Sequence, residues 1–203
     1  PGNRMNNIKI GITGLPSAGK TNTLIQVIKM LEEEGHTVGG MITEPILDDK
    51  KRNGLYVMDW MTKKRGVLAA TDIHSKFMVG KMGVDLDVLQ DIGVQALVNA
   101  CEKADIIVID EVGKIEVESD KFRDAVKEAL KTEKPMLLTL HKKSRNPLLQ
   151  DIRRRDDVRI LEVTPINRNL LPYKIMKLMK GKRFLFIGVT SKMRTSSRLL
   201  MSC

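Results

Sequence analysis

The stretch GLPSAGKT, residues 14–21, has the spacing G-x-x-x-x-G-K-T and follows the strand-like run IKIGIT. Glycines at its two ends let the backbone wind closely enough for several N–H groups to converge on an anion. A helix opening near Lys20 directs the positive end of its dipole at the same point. Gly14, Leu15, Pro16, Ser17, Ala18, Gly19, Lys20 and Thr21 are therefore expected to cradle the phosphates of a nucleotide. Lys20 would reach the β- and γ-phosphates, and the Thr21 hydroxyl would be a ligand of Mg²⁺. The competing reading is a plain glycine turn. The strand before the stretch and the helix after it are the context that a phosphate-binding loop requires.

A second signal is IIVIDE, residues 106–111, an aliphatic run ending in two carboxylates. A carboxylate at the tip of a buried strand can hold a magnesium ion directly or through water, and Asp110 fits that role. Glu111, one residue on, is placed to polarise an attacking water. A pair of this kind favours water as phosphoryl acceptor over a second substrate.

Other candidates depend on where the chain places them. Thr139 and His141, at the end of PMLLTLH (135–141), would face the γ-phosphate if that strand lies between the cradle strand and the acidic strand. Arg168 follows the strand at 158–164 and would supply positive charge to the transition state in cis. RRRDD (153–157) reads either as a kinase-like lid or as a solvated turn. VGK (79–81) repeats the Gly-Lys pair without the upstream glycine or the following hydroxyl, and reads as a loop before a helix.

The elements that must position these residues alternate between strand and helix. Strands are expected at 7–14, 37–43, 54–61, 65–71, 105–111, 134–141 and 158–164. Helices are expected at 20–35, 84–104, 119–131 and 167–180. The two strands at 54–71 read as a small antiparallel insertion. The whole predicts an α/β fold of three layers, with helices on both faces of a mostly parallel sheet. Residues 5–180 would form one domain. Residues 1–4 read as a non-native prefix.

Composition narrows the class. The chain has 203 residues with 42% hydrophobic but only 3% aromatic content, so its core must be aliphatic. Two cysteines and three scattered histidines supply neither a disulfide framework nor a zinc site. With no apolar run long enough to cross a bilayer, a cytoplasmic monomer with no membrane partner is expected. The net charge of +10 is unevenly spread. Residues 174–203 hold eight lysines and arginines and no acid, which leaves about +2 for the remainder. The basic tail, 181–203, is the only part that suggests nucleic acid as a partner.

Taken together, GLPSAGKT, VGGMITE (38–44), VGKMGVD (79–85), IIVIDEVGKIEVES (106–119), LLTLH (137–141) and NRN (167–169) resemble, in the same order, the cancer-related nucleoside-triphosphatase family. The resemblance spans about residues 7–180. It implies a P-loop NTPase fold of the RecA-like or kinase-like type, and slow hydrolysis of ATP, GTP and other nucleoside triphosphates to diphosphates with Mg²⁺, at low base selectivity. It also directs attention to Glu44 as an acid that would face the metal. The chain departs from the pattern at Asn169, where Asp is usual, at Met82, where an aromatic is usual, and in its basic tail. No N-K-x-D element that would read guanine is present. Two other activities use the same cradle: transfer to a nucleotide or nucleoside acceptor, and an ATPase switch bound to nucleic acid through the tail.

Overall fold

The computed structural model describes residues 5–181, so the expectations for the prefix and for the tail beyond Gly181 lie outside the described residues. The chain order is β1 (Lys9–Gly14), α1 (Lys20–Glu33), β2 (Val38–Asp48), β3 (Lys51–Asp59), β4 (Arg65–Ala70), β5 (Met78–Val79) and β6 (Met82–Val84). Helix α2 (Leu86–Val88) then passes through a π-helical turn, Leu89–Val94, into α3 (Gln95–Lys103). There follow β7 (Ile106–Val112), a 3₁₀ turn at Glu116–Glu118, α4 (Asp120–Lys131), β8 (Met136–His141), α5 (Pro147–Arg154), β9 (Val158–Glu162) and α6 (Leu171–Lys180).

All the described strands join one sheet in the order β5-β6-β4-β3-β2-β7-β8-β1-β9. From β2 to β9 the pairings are parallel, and from β2 to β5 they are antiparallel. The sheet is therefore mixed, and the antiparallel part extends β2 by four strands where a two-stranded insertion was expected. β5 and β6 account for the difference. They enclose the VGK stretch, which turns a hairpin instead of leading into a helix.

Strand β7 shows why the parallel part is nearly all apolar. Ile106 and Val108 enter the core under α1 and α6, while Ile107 and Ile109 enter the core under α3, α4 and α5. A strand covered on both faces must be hydrophobic at every position, with alternate side chains feeding opposite layers. α1 and α6 pack together on one face, both following strands that run in the same direction as β7. Their N-termini therefore lie at one edge of the sheet, the edge where Gly14 pairs with His141.

Two local structures escaped the sequence pattern. Helix α5 begins at Pro147, capped by Asn146, whose side-chain oxygen accepts from the Leu148 N–H at 3.0 Å. Arg153 and Arg154 end that helix, and Asp157 precedes β9 at the edge away from Gly14, because the Lys9 N–H donates to the Asp157 carbonyl. Of the RRRDD segment, Arg153 and Arg154 thus belong to α5, and only Arg155 to Asp157 form the far-edge turn into β9. Lys9, buried at the start of β1, donates its ammonium to the carbonyls of Thr132 (2.9 Å) and Lys134 (3.1 Å). Burial lowers the pKa of that ammonium.

Candidate functional site

The cradle starts from a conformational requirement. Ser17 (φ 66°) and Gly19 (φ 102°) both adopt the left-handed region, which turns the chain from β1 into α1. Gly19 is the N-cap of α1, and no side chain bonds to the helix end there. The first-turn N–H groups are thus directed outward, toward the space a phosphate would fill. The Lys20 ammonium donates to the Gly14 carbonyl at 3.2 Å and lies 3.5 Å from the Glu111 carboxylate.

The acidic pair stands opposite. β8 lies between β1 and β7, so Asp110 at the tip of β7 is two strands from the cradle strand. The Thr21 hydroxyl lies 3.0 Å from Asp110 Oδ2 and 3.2 Å from Oδ1, and donates to that carboxylate. The Thr139 hydroxyl, on β8, donates to Oδ1 at 2.6 Å. Asp110 is buried, and loss of solvent pushes its pKa up to about 6. The two hydroxyls and the Thr43 N–H work against that rise, and the charge of Glu111 adds to it. A carboxylate this poorly solvated gains from a cation beside it. The peptide between Asp110 and Glu111 is cis.

Glu111 rests against Gly113. A Cβ built on Gly113 would fall 2.4 Å from Glu111 Oε1 and 3.0 Å from its Cγ. The missing side chain is what leaves room for the carboxylate. Three residues further on, Glu116 is buried in the 3₁₀ turn, with its pKa pushed up to about 8 by burial and then by the Glu111 charge. Neither Gly113 nor Glu116 stood out in the sequence. The signal was their place in VIDEVGKIE, a glycine and an acid just past the two carboxylates of β7.

His141 sits at the tip of β8, directly paired with Gly14. Its Nδ1 accepts from the Lys143 N–H at 3.2 Å. Burial lowers its pKa; Glu111 opposes this, while Lys114, Lys20 and Arg153 reinforce it. The ring is therefore neutral at pH 7, and with Nδ1 accepting, Nε2 carries the proton. Arg153 holds the loop that follows, donating to the carbonyls of Ser144 (2.9 Å) and His141 (2.5 Å).

Neither Glu44 nor Arg168 pairs with Asp110 or Glu111 among the described residues. Glu44 pairs with Arg65 at 3.8 Å, and Arg65 in turn lies over the Tyr56 ring. Arg168 follows β9, which β1 and β8 separate from β7. Three strand spacings amount to roughly 14 Å at the backbone, so the tip of β9 lies on the far side of the cradle from Glu111.

Among the described residues, no three or more His, Cys, Asp or Glu side chains form a cluster that would hold a metal ion by themselves. The hard oxygens of Thr21 and Asp110 nevertheless suit magnesium, which keeps most of its shell for water and phosphate oxygens. A cavity of about 340 Å³ lined by Glu32, His36, Trp60 and Lys63, among others, lies at the start of β2, the edge away from the cradle. None of the candidate residues lines it.

Comparison with known proteins identifies a family. A family model described as NTPase matches residues 9–176. The chain is 42% identical over 175 residues to the nucleoside-triphosphatase THEP1 of Thermoplasma volcanium, covering 86% of this chain and 98% of that protein. It is 38% identical over 176 residues to the nucleoside-triphosphatase THEP1 of Thermotoga maritima, covering 87% and 98%. The crystal structure of THEP1 from Aquifex aeolicus superposes with a TM-score of 0.75 at 30% identity, over 86% of this chain and all of that one. The solution structure of a human cancer-related nucleoside triphosphatase gives 0.72 at 30% identity, over 83% and 95%.

Proposed function

The chain belongs to the NTPase family, and from that premise we propose that it cleaves the γ-phosphate of nucleoside triphosphates with water as acceptor, Mg²⁺ as cofactor and little selectivity for the base. The observation that carries this reading is the closeness of two halves distant in sequence. Thr21 and Lys20 of the cradle stand 3.0 Å and 3.5 Å from Asp110 and Glu111.

The backbone N–H groups that the cradle leaves unpaired, Pro16 having none, bind and orient the β- and γ-phosphates, and the Lys20 ammonium neutralises the charge that develops there. Thr21 and Asp110 would hold the magnesium ion, which when bound offsets charge on the β- and γ-oxygens. Glu111 accepts a proton from the attacking water. The water oxygen bonds to the γ-phosphorus as the bond to the bridging oxygen breaks, releasing nucleoside diphosphate and inorganic phosphate. His141, neutral with its proton on Nε2, donates toward the γ-phosphate from the tip of β8. Thr139 orients Asp110.

Glu111→Gln tests this assignment. It should keep nucleotide affinity and lower turnover by roughly 10²–10⁴-fold, whereas Lys20→Ala should weaken binding and turnover together. Phosphate release is assayed without added acceptor. Unchanged turnover in Glu111→Gln would remove it from the base role, and release that waits for a nucleoside or nucleotide acceptor would identify a kinase instead.

A further inference from the structure

The loop from β9 to α6 carries exposed apolar side chains for which the phosphohydrolase mechanism has no use. Ile166 is 95% exposed, and Leu170 and Tyr173 are 73% and 66% exposed. The loop beneath them is closed by hydrogen bonds. The Asn167 side-chain oxygen accepts from the Thr164 N–H at 2.8 Å, and its amide donates to the Glu162 carbonyl at 2.8 Å. The Thr164 hydroxyl accepts from the Asn167 N–H, and the Arg168 N–H donates to the Thr164 carbonyl at 3.0 Å. A turn locked this tightly holds Ile166 out toward solvent.

The position of the turn says what covers it. Val163 lies against the first residue of the cradle, since a Cβ on Gly14 would fall 2.8 Å from the Val163 carbonyl. The acids fix the γ end of the triphosphate over β8 and β7, on one side of β1. The rest of the nucleotide must leave the cradle on the other side, where β9 is the next strand. α6 starts beside α1 at that same edge.

We infer that Ile166, flanked by Leu170 and Tyr173, is the platform on which the purine or pyrimidine ring of the bound nucleotide rests. This rests on the phosphohydrolase reading for the direction of the triphosphate. It deepens that reading by naming the part of the site that meets the base. Both ends of the Asn167 amide are occupied within the loop, so that side chain is not available to read the edge of a base. An aliphatic face accepts any planar heterocycle, which gives affinity with little discrimination.

The test compares a ligand with a base and one without. Calorimetry with Mg²⁺ measures the affinities of the β,γ-imido analogue of ATP and of inorganic tripolyphosphate for the full chain and for Ile166→Ser and Ile166→Trp. Wild type should bind the nucleotide more tightly than tripolyphosphate. Ile166→Ser should narrow that gap roughly tenfold, the effect of losing on the order of 60 Å² of apolar contact, and Ile166→Trp should widen it. Tripolyphosphate affinity should stay the same in all three. An unchanged gap in both variants overturns the inference, as does an altered oligomeric state with an unchanged gap, which would make the face a contact between copies of the chain. The readout is binding alone. A protein that binds both ligands but releases no phosphate from ATP would therefore overturn the hydrolase reading while leaving the platform standing.

Discussion

Gly113→Ala is expected to disable the site while leaving the fold intact. The added Cβ would lie 2.4 Å from Glu111 Oε1, 3.0 Å from Cγ and 3.1 Å from Cδ. Ordinary van der Waals contact begins near 3.4 Å, so the carboxylate must retreat by about 1 Å. The atoms it meets belong to one partly exposed side chain, which can swing aside without disturbing the core. Stability should therefore change by less than about 1 kcal/mol. Activity should not be spared, because a displacement of about 1 Å in a reacting group costs roughly 10²-fold in rate. Steady-state phosphate release should show kcat lowered by about two orders of magnitude. Nucleotide affinity measured by calorimetry, and the thermal midpoint, should stay close to wild type. Unchanged kcat would refute the reasoning: Glu111 would then tolerate displacement and could not be the group that positions the water.

Other outcomes follow from the same residues. Glu116 has its pKa at about 8 against an ordinary 4.5. Between those values the native protein holds a proton that the unfolded chain has lost, so stability should fall as pH rises through that window, by on the order of 5 kcal/mol. Denaturant unfolding at pH 5 and pH 9 should show this fall in wild type and a flatter profile in Glu116→Gln. Thr139→Val keeps the shape of the side chain but removes the donor 2.6 Å from Asp110. A buried carboxylate short of one hydrogen bond should cost about 1–3 kcal/mol in stability. It should also raise the Asp110 pKa above about 6, so that magnesium-dependent turnover, measured across pH, loses its acidic limb at a higher pH than in wild type.

The parts of the site that could be read from sequence are those with fixed local spacing. GLPSAGKT and IIVIDE carry their chemistry within a few residues, and each lies at a junction that hydrophobic periodicity locates well. The strand between them was also legible, because the apolar run MLLTL admits only a doubly covered position. What escaped depends on contacts between distant segments. Local pattern places Arg168 at the cradle edge, but only strand order shows that β9 neighbours β1 on the side away from the acids. Glu44 lies on the expected strand, but Arg65 on a strand of the insertion engages it. β5 and β6 are two and three residues long, too short for any periodicity. Helix α5 was hidden by its arginine-rich end, which read as a turn. Glu116 looks like a surface acid until coordinates bury it, and the closeness of Gly113 to Glu111 has no sequence signature.

In the proposed mechanism water, delivered by Glu111, attacks the γ-phosphorus. Turnover of ATP with Mg²⁺ in water enriched in heavy oxygen, with no acceptor added, tests this directly by mass spectrometry of both products. Solvent oxygen should appear in the inorganic phosphate and none in the diphosphate, at a rate that collapses in Glu111→Gln. Label in the diphosphate, or no phosphate released until an acceptor is supplied, would contradict it.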